Sequence, residues 1–358
     1  MNRSRRSPPS RSGLGHDPFA DPQLERDPFF DALDEAPRAG AAEAAASEEA
    51  SGGGEPATPN AAATPALPSL KQLVAGLGLQ RFLAAEDRER VETLAPPRGE
   101  GDRFGFDPES LADTLPGLLF LYRSWFRVES RGQARLPRDG RAILVSNHAG
   151  LLPFDGAMIL TDLLLKSDPP RLCRALVDRR VGELDTLREF FEAIGQVPGT
   201  RTAFRNLLDA GATVLVFPEG TGGACKPYSE RYRLQPFHSG FAQEALRTGT
   251  PIVPMAVIGS DDQAPLLFDW KSLANRFGLP ALPITPTFPW LGLLGLLPLP
   301  VRYRIVYSEP IEISGRPDSQ AAKDPERVAS IVSEVRARIQ GLLDARGEAF
   351  EAGPGTSD

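Results

Sequence analysis

Between Ala142 and Ile258 the chain alternates short runs of β-branched and aliphatic residues with longer segments of helical periodicity. Few folds accept that rhythm. Strand-like runs at Ala142 to Ser146, Leu172 to Val177, Thr213 to Phe217 and Pro251 to Ile258 are separated by segments that read as helices. These are Pro153 to Lys166, Glu183 to Ile194, Arg201 to Ala210 and Ser239 to Arg247. Strands that are apolar throughout belong in a sheet covered on both faces, and helical crossovers return the chain to lay the next strand parallel. The expectation is an α/β fold, three-layer αβα, with a largely parallel or mixed central sheet; Arg302 to Tyr307 and Ile311 to Ile313 are candidate edge strands. A last helix is announced by Asp324 as N-cap and Pro325 at its first position, followed by an apolar stripe of Val328, Ile331, Val332, Val335, Ile339 and Leu342.

The remainder of the chain is organised around this unit. Residues 1–68 are rich in Pro, Ala, Gly, Ser and acids, bury too little apolar surface to offset ordering entropy, and read as a disordered tail. Asp17-Pro18-Phe19 recurs there as Asp27-Pro28-Phe29, a repeat that chance in a biased segment explains more readily than a partner motif does. Residues 69–130 read as an N-terminal helical segment, with a helix through Leu73, Leu77, Leu79, Phe82 and Leu83 and a second from Pro108 to Phe126. The second ends in a run from Leu118 to Arg127 whose aromatic and Arg content suits either a membrane interface or core packing. The α/β domain then occupies 131–346, and 347–358 reads as a disordered C-terminus. Within the domain, residues 277–300 form an apolar stretch interrupted by prolines, too broken to span a bilayer; lipid contact is the expected role, a buried structural loop the alternative.

Composition narrows the function. A formal net charge of −7 gives no electrostatic footprint for nucleic acid, so no nucleic-acid partner is expected. Two cysteines, Cys173 and Cys225, supply neither a disulfide framework nor a metal cluster, which points to a reducing compartment and to no bound metal. No apolar segment follows the basic N-terminus, so no signal peptide is expected. The expected location is peripheral, on the cytoplasmic face of a membrane. Nothing in the sequence bears on the oligomeric state.

Of the three histidines, only His148 follows a strand of the α/β unit, at the sheet edge where such folds bind ligands. Asp155 lies near the start of the next helix, placed to accept from the imidazole, fix its tautomer and make the other ring nitrogen a base; alternatively it merely caps that helix. A second strand-end loop reads Phe217-Pro218-Glu219-Gly220-Thr221-Gly222-Gly223, which brings a carboxylate, a hydroxyl and flexible backbone to the same edge. Lys226, Arg231 and Arg233 follow, as cations suited to a phosphate.

Asn147-His148 with Asp155, then Phe217-Pro218-Glu219-Gly220-Thr221, then Pro251 to Val257, resemble in order and separation the phospholipid/glycerol acyltransferase family, over roughly Leu115 to Ile313. Arg201, after Gly195 to Thr200, resembles the family's phosphate-contacting Arg. The resemblance implies transfer of a fatty acyl group from acyl-coenzyme A or an acyl carrier protein to a glycerolipid hydroxyl, the thioester being a co-substrate and no cofactor being needed. It makes His148 the base and Asp155 its orienting partner, with Asn147, Arg201, Glu219, Gly220 and Thr221 on the acceptor and Lys226 or Arg231 assisting. A lipid-binding protein of the same fold without the reaction is the alternative.

Two positions depart from the family pattern. Six residues separate His148 from Asp155 where four are usual, so either the loop bulges or the two side chains do not meet; Gly150 and Pro153 favour the bulge. Gly222 stands where many relatives carry an Arg that holds acceptor phosphate, which admits a neutral acceptor such as a diacylglycerol or an alcohol.

Overall fold

A computed structural model describes residues 76–95, 102–150, 152–177, 191–192, 194–269, 283–292, 295, 297–313 and 320–346. The tail over 1–68 and the C-terminus from 347 lie outside these residues, as do most of the helix expected over Glu183 to Ile194 and part of the apolar stretch 277–300.

The described chain opens with a 3-10 turn at Leu79–Phe82, then α1 (Ala85–Glu92) and α2 (Pro108–Phe120), which runs on into a π-helical turn at Leu121–Trp125. Of the helix expected through Leu73, Leu77, Leu79, Phe82 and Leu83, Leu73 lies outside the described residues, and from Leu79 the chain forms a 3-10 turn after Gly78 in a left-handed conformation (φ 64°). The helix after Pro108 does form, with Asp107 accepting from the backbone N–H groups of Glu109 and Ser110.

Strands β1 (Glu129–Arg131) and β2 (Ala142–Ser146) precede α3 (Phe154–Lys166), β3 (Cys173–Val177), β4 (Val197–Pro198), α4 (Arg201–Asp209) and β5 (Thr213–Val216). There follow the short α5 (Gly220–Ala224), α6 (Gly240–Thr248), β6 (Ile252–Ile258), a β7 (Phe268–Asp269) and β8 (Pro283–Ile284) ribbon, β9 (Arg304–Tyr307) and α7 (Pro325–Asp344). The main sheet has seven strands in the order β1-β9-β6-β2-β5-β3-β4. β6, β2, β5, β3 and β4 are mutually parallel, while β9 runs antiparallel to β6 and takes β1 with it. The sheet is therefore mixed and mostly parallel. Ile311 contributes one bridge to Ile252 and no full strand.

Alternation along the strands builds two cores. Ile143, Val145, Val214, Val216, Ile252 and Ala256 face Phe204 and Leu207 of α4, Phe241 and Ala245 of α6, and Val335 and Ile339 of α7. Leu144, Leu215, Val253, Met255 and Val257 face Met158, Ile159 and Leu163 of α3 together with Tyr122, Phe126 and Tyr303. Tyr122 and Phe126 are 5% and 0% exposed, so one face of the Leu118 to Arg127 run packs into the core, while Arg123, Ser124 and Arg127 stay exposed. Arg123, 39% exposed, pairs with the Asp87 carboxylate at 2.8 Å. Asp162 of α3, wholly buried, accepts from Tyr122 Oη (2.6 Å), Ser130 Oγ (2.5 Å) and Tyr307 Oη (2.8 Å), fastening the N-terminal helices and the β1/β9 edge to α3.

Candidate active site

Parallel strands β2 and β5 lie side by side and release their C-terminal ends at one edge of the sheet. His148 leaves β2 there and Glu219 leaves β5 there, so adjacency in the sheet joins two loops that are 71 residues apart in sequence.

The loop between β2 and α3 does bulge. Gly150 takes φ +86°, a conformation other residues rarely adopt, and Pro153 directs the chain into α3 so that Asp155 falls in its first turn. His148 Nδ1 and Asp155 Oδ2 are 2.7 Å apart. The same Oδ2 accepts from the Ala149 backbone N–H (3.0 Å), and Oδ1 accepts from the Gly156 N–H (2.7 Å). Asp155 is 0% exposed; the N-cap of α3 is Pro153, with no side-chain cap hydrogen bond, so Asp155 lies inside the first turn and faces His148 instead of capping the helix.

This arrangement decides the tautomer. A carboxylate that accepts two backbone N–H groups offers Nδ1 an acceptor, so Nδ1 carries the proton and Nε2 is left with its lone pair. The imidazole stacks on the Phe217 ring at 4.5 Å between centroids, and 16% of the side chain remains exposed. Burial disfavours the imidazolium, but the Asp155 carboxylate 2.7 Å away and the nearby Glu219 outweigh it and raise the His148 pKa above the ordinary histidine value. The group can accept a proton and then hold it against a buried counter-charge, which is what general-base chemistry asks of a histidine.

Several of the remaining expected site residues are placed differently. Asn147 is 0% exposed; its Nδ2 donates to the Val257 carbonyl and its Oδ1 accepts from the Val257 N–H at 2.8 Å. It is a strut between β2 and β6, and the expectation that it meets substrate is corrected. Glu219 is 2% exposed, with Oε1 accepting from the His148 N–H (2.9 Å) and Oε2 from the Gln235 N–H (2.7 Å). Burial raises its pKa, opposed by Lys226 and by these two amides. Its carboxylate sets the backbone of the catalytic-edge loop instead of pointing at an acceptor. Gly223 makes this possible, since a Cβ there would stand 2.7 Å from Glu219 Cβ and 3.1 Å from the His148 carbonyl.

Lys226 also turns inward. Its ammonium pairs with Asp261 at 2.9 Å, both side chains being almost fully buried. Arg201 starts α4, hydrogen-bonds Gln243 of α6 and lies 3.9 Å from Glu244, so it ties two helices together. Gly220 (φ 54°) and the exposed Thr221 open α5, and the exposed Arg231 lies over the Tyr228 ring at 4.5 Å. A small hollow beside Ala149 and Gly150 is lined by Gly223, Lys226, Tyr228, Arg231 and Asp261. Among the described residues, no group of three or more His, Cys, Asp or Glu side chains is placed to hold a metal ion. Sequence reasoning had no signal for Gln235, Asp261 or Gln263 as neighbours of the site; each arrives by a contact between distant segments.

A family model described as Acyltransferase matches residues 127–258. An uncharacterised protein of Mycobacterium tuberculosis is 43% identical over 244 residues, which is 68% of each chain. Phytyl ester synthase 1, chloroplastic, of Arabidopsis thaliana is 31% identical over 174 residues, covering 43% of this chain and 24% of that one. The crystal structure of the 1-acyl-sn-glycerophosphate acyltransferase of Thermotoga maritima is 18% identical, covering 77% of this chain and 94% of that one at a TM-score of 0.44.

Proposed function

Because this chain belongs to the acyltransferase family, whose members transfer acyl groups in lipid metabolism, we propose that it moves a fatty acyl group from a thioester to the hydroxyl of an uncharged lipid, with His148 as general base. The observation that carries the proposal is the 2.7 Å contact between His148 Nδ1 and the buried Asp155. His148 Nε2 removes the acceptor's hydroxyl proton as that oxygen attacks the thioester carbonyl carbon. The carbonyl π electrons move to oxygen, giving a tetrahedral oxyanion. Its collapse restores the carbonyl, breaks the carbon–sulfur bond and expels the thiolate, which takes the proton back from His148. Asp155 supports the imidazolium through the middle of this sequence and returns to its starting state. The donor is a coenzyme A or acyl carrier protein thioester, the coupled thiol being the leaving group.

Electrostatics around the loop supports the uncharged acceptor. A phosphate needs cations that project into the site; Lys226 is neutralised by Asp261 and Arg201 is engaged with Gln243 and Glu244, which leaves Arg231, exposed over the Tyr228 ring, as the cation lining the hollow beside Gly150. Gly222 adds no charge at the position where the family resemblance would place an Arg on acceptor phosphate. The likeness to a phytyl ester synthase agrees with an alcohol as acceptor. Membrane contact is part of the same proposal, on the cytoplasmic face: in the apolar stretch Trp290, Leu291 and Leu297 are 78%, 59% and 56% exposed.

The test is an acceptor screen with a single acyl-coenzyme A, read by mass spectrometry, comparing diacylglycerol, a long-chain alcohol and lysophosphatidate. Ester formation on the neutral acceptors is expected. Preferential esterification of lysophosphatidate overturns the neutral acceptor, and no ester from any acceptor overturns the transfer reaction in favour of a lipid-binding role.

A further inference from the structure

Six residues separate His148 from Asp155, in a loop whose ends must meet within hydrogen-bonding distance, and each of them brings conformations in which they do not. Something must remove that freedom. Ala149, directly after His148, has its N–H on Asp155 Oδ2 and its carbonyl on the side-chain amide of Gln263, which donates from Nε2 at 2.9 Å. Gln263 is 1% exposed, and its Oε1 accepts from Tyr303 Oη at 2.6 Å, Tyr303 being 0% exposed.

The direction of this chain of bonds is forced. A carbonyl only accepts, so the NH2 of Gln263 must face Ala149; Oε1 must then face Tyr303, whose hydroxyl must donate. The far end is fixed as well. Tyr303 stacks on Phe126 at 4.4 Å and bonds its own N–H to the Phe126 carbonyl, while the Gln263 carbonyl accepts from the Leu299 N–H. Gly150 shows how closely the loop is fitted to this amide: a Cβ on it would lie 2.8 Å from Gln263 Nε2.

We propose that Gln263 and Tyr303 are positioning residues for the reaction, a clamp that holds the extended loop so that Asp155 meets His148. Neither touches substrate; both act through the Ala149 peptide. The inference rests on the general-base reading of His148.

Gln263→Glu keeps the shape and the acceptor facing Tyr303 but sets a second acceptor against the Ala149 carbonyl. Tyr303→Phe removes one oxygen and keeps the stack on Phe126. Each variant of the full chain is measured for acyl transfer and for the pH at which the His148 ring titrates, followed by proton NMR and assigned with His148→Ala. The expected result is a kcat lowered about 10- to 100-fold with KM for the thioester within about twofold. In Tyr303→Phe, which introduces no charge, the His148 titration moves to lower pH, since a loosened Asp155 supports the imidazolium less; Gln263→Glu adds a carboxylate whose own pull on the imidazolium opposes that shift, so it is read by kcat. The double variant is expected to lose little more than the worse single one, as members of one unit do.

Wild-type kcat and titration in both variants overturn the clamp. So does a lowered kcat with an unmoved titration in Tyr303→Phe, which is the mark of a merely structural effect. If Gln263→Glu does not fold, Tyr303→Phe alone decides between these outcomes. Failure of the base assignment is separable: His148→Ala then retains transfer, while the titration shift in Tyr303→Phe is still read.

Discussion

Replacing Asp155 by Asn changes one atom of the proposed dyad and leaves its volume intact. The wild-type carboxylate accepts on both oxygens, from His148 Nδ1–H and the Ala149 N–H on Oδ2 and from the Gly156 N–H on Oδ1. An amide has one acceptor and one donor end, so one side must fail. With NH2 toward His148, Nδ1 becomes the acceptor, the proton moves to Nε2, and the base is lost; the Ala149 N–H also faces a donor. With NH2 toward Gly156, two donors oppose each other at a buried position, and the imidazolium formed in the reaction has no counter-charge. Positioned general-base catalysis contributes about 10²–10⁴ in rate, and wrong-tautomer variants of comparable dyads lie at the upper end. We therefore expect kcat to fall about 10³-fold, about 4 kcal/mol in activation free energy, with KM for the thioester little changed. Initial rates of thiol release with a fixed acceptor measure this, alongside a denaturation curve to show that the fold persists. A kcat for Asp155→Asn within about threefold of wild type refutes the orienting role of Asp155.

Because the free imidazole is the active form and Asp155 raises its pKa, kcat/KM should fall as pH drops through a value above the ordinary ~6.5 of histidine; a profile flat down to about pH 5 contradicts this. Asp162→Ala leaves the hydroxyls of Tyr122, Ser130 and Tyr307 without their acceptor and should lower stability by about 3 kcal/mol in urea unfolding, against a loss below about 1 if the cluster is incidental. Gly223→Ala should reduce activity at least about tenfold by displacing Glu219 and the His148 carbonyl, and unchanged activity would show that the packing there is slack. Trp290→Ser with Leu291→Ser should weaken flotation with liposomes and leave the thermal midpoint unchanged; equal flotation removes this stretch from the membrane surface.

The sheet was legible because its strands are buried on both faces: Ala142 to Ser146 and Ile252 to Ile258 are apolar at nearly every position, a pattern that few other structures produce. The closing helix was legible from Asp324, whose carboxylate does accept from the Glu326 and Arg327 N–H groups. What stayed hidden had no local signature. α1 reads Ala85 to Glu92 with a single buried apolar residue, Val91, so it has no apolar periodicity; β1 and β4 are three and two residues long. The reversed direction of β9 and β1 depends on pairing across the sheet, which no local pattern encodes.

The site divides in the same way. His148 and Asp155 were readable because one loop carries both, and Gly150 and Pro153 signal the bulge that joins them. The family resemblance placed Asn147, Glu219 and Lys226 at the substrate, whereas their partners are Val257, the His148 and Gln235 amides, and Asp261. A polar side chain near a site is as able to build the loop as to meet the ligand, and only burial separates the two. Gln263 and Tyr303, 115 and 155 residues beyond His148, could not be connected to it without the fold.

Single-turnover ester formation tests the base assignment most directly. A radiolabelled acyl thioester is mixed with excess enzyme and a neutral acceptor, and ester is quantified for the wild type and for His148→Ala. Removal of the imidazole should slow ester formation by about 10³-fold or more while thioester binding persists. Ester formed by His148→Ala at the wild-type rate would contradict the account at its root.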